Sequence, residues 1–143
     1  MKFIKFLFFA LILYNIHSYA NENLINQRIE FFKKSDKTVS NIKKLIKLKD
    51  YDAIVKEGKF IYEWSKSIPL YFPEGTQASM ENGSDASYEI WMNFTDFSNK
   101  AKITEIASFE LMQSASEKNL ERLKASLKKI TSSCNSCHRS YRN

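Results

Sequence analysis

Only 3 glycines and 2 prolines occur in 143 residues, so the punctuation that cuts a chain into many short strands is missing. A β-sandwich or barrel needs turn signals about every 8–12 residues, and these are absent. Pro69, Pro73, Gly75 and Gly83 crowd into roughly residues 67–86, leaving Gly58 as the one outlier. Histidine and cysteine are equally sparse, 2 of each. A structural zinc site normally takes four Cys or His ligands, and di-iron carboxylate bundles use Glu-x-x-His pairs, of which there are none. The unbroken apolar run from Phe6 to Tyr14 is well short of the ~20 residues a helix needs to cross a bilayer.

What is present is concentrated. Both cysteines and one of the two histidines fall in Cys134-Asn135-Ser136-Cys137-His138, five residues before the end. Cys-x-x-Cys-His is the attachment pattern of a c-type haem, with two thiols bonded to the porphyrin and the adjacent imidazole on the iron. On a helix these positions are three and four apart, so all three side chains can face one bound ring. A thioredoxin-like site would open a helix in a βαβ unit, whereas this motif ends a long helical stretch. A disulfide across two residues stays open, but it would leave His138 without a purpose.

Lys2 and Lys5 precede the apolar run, and Ser18-Tyr19-Ala20 supplies small residues where a signal peptidase inspects. Residues 1–20 are therefore expected to be a secretory signal, with residues 21–143 forming one domain in the periplasm. The alternative is retention as an anchor. Export agrees with a c-type haem, which is attached outside the cytoplasm in bacteria. Loss of Lys2 and Lys5 takes the bases from 22 to 20 against 16 acids, a net charge of +4. His17 leaves too, which makes His138 the only histidine remaining and rules out a second histidine on the iron.

Ile25, Arg28, Phe32, Ser35, Val39, Ile42 and Ile46 recur at steps of three and four, the inward seam of an amphipathic helix. A second helix is expected over Tyr51, Ile54, Val55, Gly58, Ile61 and Tyr62, ending before Pro69. Residues 68–86 read as a long connection whose Leu70-Tyr71-Phe72 tucks under the bundle. A third helix starts near residues 84–87, buries Ile90, Trp91, Phe94 and Phe97, and runs to about Gln113 with a kink around residues 99–102. The last helix, from about Ser116, carries Leu120, Leu123, Leu127, Ile130, Cys134, Cys137 and Tyr141 in one rhythm. The expected fold is all-α, an antiparallel up-down-up-down four-helix bundle with haem in its core. The thiols thus continue the hydrophobic seam.

Four features together resemble the cytochrome c prime and cytochrome c556 family over nearly the whole chain after the leader. They are Ile25-x-x-Arg28-x-x-x-Phe32, Leu70-Tyr71-Phe72-Pro73-Glu74-Gly75-Thr76, Ile90-Trp91 with Phe94 and Phe97, and Cys134-x-x-Cys137-His138-x-x-Tyr141-Arg142. Cytochrome c prime is itself among the known antiparallel bundles. The resemblance implies one covalent haem c on Cys134 and Cys137, with His138 as the proximal, solvent-accessible iron ligand. It places Arg28 by a haem propionate, a role suited to a guanidinium, and Arg142 near the proximal ligand. Trp91 is expected against the cofactor as well. For either arginine, surface solvation is the competing reading.

The position four beyond the seam arginine faces the distal side of the iron in that family. Methionine there makes a six-coordinate, low-spin electron carrier of the c556 kind, which is the alternative function. Phe32 has no lone pair to donate, so the resemblance implies five-coordinate iron that binds nitric oxide and can pass single electrons. Met80, Met92, Met112 and the lysines beside Phe32 are the rival ligands. Glu57, Glu63, Glu105 and Glu110 lie on polar helical faces with no histidine base beside them, so no enzyme is expected. Lysines from Lys33 to Lys49 suit solubility better than docking of an acidic redox partner, and no nucleic acid is expected. No apolar stripe beyond the core seam stands out, so a homodimer through the first two helices is an expectation of the resemblance alone.

Overall fold

A computed structural model describes the backbone from Lys2 onward and the side chains from Glu22 to Asn143. The signal expected over residues 1–20 lies outside the residues whose side chains are described. The elements are α1 (Lys2–Leu48), α2 (Tyr51–Ser67), a 3-10 turn (Ile68–Tyr71), α3 (Glu89–Met92), α4 (Phe94–Ser116) and α5 (Leu120–Tyr141). Among the described residues there is no strand, and only Ala86 and Arg142 form an isolated antiparallel bridge. The chain is an all-α bundle of α1, α2, α4 and α5, as its periodicity predicts.

Two short turns share one grammar. At each, a lysine adopts the left-handed conformation, Lys49 at φ +56° and Lys118 at φ +53°, and a short polar residue then caps the next helix. Asp50 Oδ1 accepts from Ala53 N (3.1 Å) and Asn119 Oδ1 from Arg122 N (3.1 Å), each satisfying an otherwise orphaned donor. Tight turns of this kind force antiparallel neighbours. α2 and α4 approach closely at Gly58, where an added Cβ would lie 2.9 Å from Met112 Cγ and 3.1 Å from Leu111 Cδ2.

The third segment departs from expectation. The helix breaks at Asn93, which has φ −128° and ψ 42°, and α4 runs unbroken through residues 99–102. Phe94, expected in the core, lies beside the break and is exposed. Of Leu70-Tyr71-Phe72, only Phe72, just past the 3-10 turn, is buried; Leu70 points outward because the inward position of that turn is taken by Ile68. α4 also carries an outward apolar row, Ile103, Ile106 and Phe109, which the sequence hides because α4 is apolar on its inner face too.

The interior has two parts. Ile42, Ile54, Ile61, Leu111, Leu123 and Ile130 form an aliphatic core toward the short turns. Trp64, Phe72, Phe97 and Tyr141, with Phe31 and Phe32 beside them, form an aromatic cluster toward the other end. α1 and α5 touch each other least among the neighbouring bundle helices. That slack opens a gap at the aromatic end.

Candidate cofactor site

A cavity of about 410 Å³ occupies this gap, walled by Phe32, Phe72, Ile90, Phe97, Cys137 and His138, with Arg28 and Arg142 among the charged groups at its edges. Its size and mostly apolar walls suit a small-molecule site. Phe32 on α1 and His138 on α5 face one another, ring centroids 6.1 Å apart and nearly perpendicular. Phe32 is held from behind by Trp64 at 5.2 Å. The last two turns of α5 bring Cys137 and His138 to the cavity by the helical spacing read from the sequence.

Cys134 and Cys137 are half-buried and not joined in a disulfide. Cys134 sits one turn below the cavity wall, against the aliphatic core, while Cys137 belongs to the aromatic cluster. Burial pushes both thiols up, Cys137 to about 11 with Cys134 adding to the effect, so at neutral pH they are protonated and poorly suited to hold a metal as thiolates. Burial, and then the charge of Arg142, lowers His138 below its ordinary value. A neutral imidazole with a free lone pair is the form that binds a metal.

Arg28 is buried, contrary to a surface reading. Its Nη1 donates to Thr76 Oγ1 (2.8 Å) and the Tyr71 carbonyl (3.1 Å), and its Nη2 to Ser84 Oγ (2.7 Å) and the Thr76 carbonyl. The guanidinium also lies 4.2 Å from the centroid of Phe72, a cation–π arrangement. Desolvation pulls Arg28 down to about 10, which leaves it charged at neutral pH. Arg28 thus ties the long connection onto α1 and still edges the cavity.

Arg142 is exposed and gripped by Asp85, whose Oδ2 accepts from Nη2 (2.8 Å) and Nε (3.1 Å). Backbone bonds from Ser87 N to the Tyr141 carbonyl (3.0 Å) and from Asn143 N to the Asp85 carbonyl (2.9 Å) complete a clasp. Trp91 does not line the cavity. Its Nε1 donates to the carbonyls of Phe72 and Pro73, each at 3.1 Å, and so pins the connection that does. Tyr141 does line it, donating to Asp96 Oδ2 at 2.5 Å. Ser84, Asp85 and Asp96 carry no signal in the sequence beyond the turn hydroxyls after Gly75, and Thr76 stands in a motif of the resemblance that assigns it no role.

The chemistry of this donor set fits a covalent porphyrin. Two protonated thiols flank one helix turn, a neutral imidazole follows them, and cationic groups edge an apolar cavity. The indole N–H of Trp64, buried behind Phe32, has no hydrogen-bond partner among the described residues. A buried donor of this kind is normally satisfied in a native structure, so the aromatic end has a polar valence to spare. Met80 and Met92 are exposed, and Met112 lies against Gly58 in the other half. None of the three lines the cavity.

A family profile described as Cytochrome C′ matches residues 23–142. No curated protein matches the chain. Among solved structures, cytochrome c′ from Thermochromatium tepidum is similar at 18% identity with a TM-score of 0.77, covering 85% of this chain and 95% of that one. A nitric oxide complex of a mutant cytochrome c prime from Alcaligenes xylosoxidans shares 21% identity at a TM-score of 0.75, covering 86% and 95%. A cytochrome c′ with a ligand-controlled dimer dissociation shares 19% identity at 0.78, covering 85% and 95%. The match over nearly all of the described bundle, together with the attachment motif at its cavity, shows that the chain belongs to the cytochrome c prime family, whose cofactor is a covalently bound c-type haem.

Proposed function

We propose that the protein is a non-enzymatic periplasmic cytochrome whose five-coordinate iron binds nitric oxide and passes single electrons to a redox partner protein. Cys134 and Cys137 hold the haem by thioethers, and His138 is the one protein ligand to the metal. When bound, the haem supplies an iron that accepts a small uncharged diatomic gas and changes oxidation state by one electron. The observation that carries this reading is Phe32, whose ring stands opposite His138 where a ligating side chain would otherwise sit.

Each neighbour has a part. Phe32 donates nothing and offers no hydrogen bond, so it disfavours water and larger polar ligands while leaving an uncharged gas unopposed. Arg28 and Arg142 place positive charge where carboxylates of the cofactor can be neutralised. Trp91 and Arg28 hold the 68–88 connection over the cavity and limit entry of water. Residues 1–20 direct export to the compartment where thioethers are made.

Absorption spectra of the reduced protein with and without nitric oxide test the proposal. A high-spin spectrum that shifts on adding the gas is expected, and Phe32→Met should convert it to low spin. A low-spin wild-type spectrum indifferent to nitric oxide would overturn the reading in favour of a dedicated electron carrier.

A further inference from the structure

One oxidisable side chain on the cavity wall has no part in holding the haem. Tyr141 is the only described tyrosine or tryptophan that lines the cavity, and it is buried, its ring edge-on to Phe97 at 5.4 Å and 88°. Its phenol donates to Asp96 Oδ2 (2.5 Å), and the Asp96 side chain is 59% exposed and lies 3.7 Å from Lys100 Nζ. Among the described tyrosines no other hydroxyl bonds to a carboxylate. A phenol is neutral at neutral pH, so it gives up an electron readily only when a base takes its proton in the same event. Asp96 is such a base, and its exposure lets it hand the proton on to water. Trp64 makes the contrast. It stands behind Phe32, and its indole N–H has no acceptor among the described residues, so an electron drawn from it would leave a proton stranded.

We propose that Tyr141 and Asp96 form a one-electron relay that spares the haem when the reduced iron meets a peroxide. The inference rests on the open iron face proposed above, since a peroxide needs that face to react. Hydrogen peroxide takes two electrons and two protons and leaves as two waters, its O–O bond broken. One electron comes from the iron, which passes from ferrous to ferric, and the other comes from Tyr141. The phenolic proton goes to Asp96 Oδ2 and on to water, the two protons for the product waters come from solvent, and a neutral phenoxyl remains on Tyr141. An electron from a one-electron donor protein, with a proton returned through Asp96, restores the phenol. Without the relay the second oxidising equivalent falls on the porphyrin. The relay is a safeguard of the cofactor, separate from gas binding and electron carriage.

Reduced, haem-loaded protein mixed with one equivalent of hydrogen peroxide and frozen at once should give the paramagnetic resonance signal of a tyrosine phenoxyl. Tyr141→Phe should lose that signal, and its haem absorption should bleach faster than that of the wild type. Asp96→Asn keeps the shape of the site but takes no proton, so the phenoxyl should form about 100-fold more slowly. Tyr88→Phe, at an exposed ring, should leave the signal intact. A haem that peroxide does not change would overturn the relay together with the open iron face. A haem oxidised with no phenoxyl, a phenoxyl that survives Tyr141→Phe, or one formed at the wild-type rate in Asp96→Asn would overturn the relay alone and leave the nitric oxide reading standing.

Discussion

The two halves of the interior are built on different principles. Toward the short turns, branched aliphatic side chains from all four bundle helices interlock, and Ile42, Ile54, Leu111, Leu123 and Ile130 are wholly shielded from solvent. Toward the other end, large aromatics meet mostly edge to face, as Phe97 meets Tyr141 at 5.4 Å and 88°, and the walls stop short of closing. Helix packing alone completes the first half. The second depends on a folded connection, on hydrogen bonds from Arg28 and Trp91, and on a group that fills the gap between α1 and α5. A cofactor site is therefore the half of a bundle in which side chains have been withheld.

Substitution should separate the halves sharply. Leu123→Ala removes a fully buried side chain from the aliphatic core and should cost about 3–5 kcal/mol, because close packing leaves little room to relax. Phe32→Ala, at a wall already open, should cost only ~1–2 kcal/mol despite the larger side chain. Urea unfolding of both variants checks the contrast, and equal losses would mean the two ends are packed alike.

Arg28→Met probes the second half from its polar side. It removes every hydrogen bond from α1 to Thr76, Ser84 and the Tyr71 carbonyl, with a loss of roughly 2–4 kcal/mol from buried acceptors left unpaired. Hydrogen exchange should quicken across residues 76–86 and stay slow around Leu123 and Ile130. Gly58→Ala is the matching probe of the first half. The flexible Met112 side chain can yield to the new methyl group, so the overpacking should cost about 1–3 kcal/mol, again read from urea unfolding.

Legibility follows the same division. The aliphatic core is carried by three-and-four periodicity, which depends on neighbours along one helix, and Ile42, Ile54, Leu123 and Ile130 all lie where that pattern puts them. Cys137 and His138 were legible because their chemistry is local to one helix turn. Arg28 and Phe32 were legible as seam positions, and their significance came from the family resemblance. Thr76, Ser84 and Asp85 were not, since their partners are 48 to 57 residues away across a connection with no period. Phe94 was misplaced because the break at Asn93 rotates it off the inward face.

Alkali offers a finer test of the aromatic half. Burial, with the bond to Asp96, pushes the Tyr141 phenol up to about 12. A phenol held neutral in the fold favours folding below its unfolded value of about 10, and this advantage disappears as pH climbs from there through about 12. The stability gap between wild type and Tyr141→Phe should therefore be constant at neutral pH and close across that alkaline window. A gap that stays unchanged from about pH 9 through about pH 12 would mean that Tyr141 is not shielded.

The smallest effect belongs to the aliphatic end and has the opposite sign. Lys118 holds a left-handed conformation at φ +53° between α4 and α5, where a Cβ costs roughly 1 kcal/mol or more against glycine. The turn persists because Glu117 N and Asn119 N bond back to the Gln113 and Ser114 carbonyls, both at 2.9 Å, while the Asn119 side chain caps α5. Lys118→Gly should therefore stabilise the protein by about 0.5–1 kcal/mol, the relief of strain being partly offset by the entropy of a freer unfolded chain. Lys49→Gly, in the matching turn between α1 and α2, should do the same, and the two gains should add because the sites share no partner. Thermal unfolding of the two single variants and the double variant would measure this, and a loss at either site would mean that the lysine side chain there supports the turn in a way its backbone angle does not reveal.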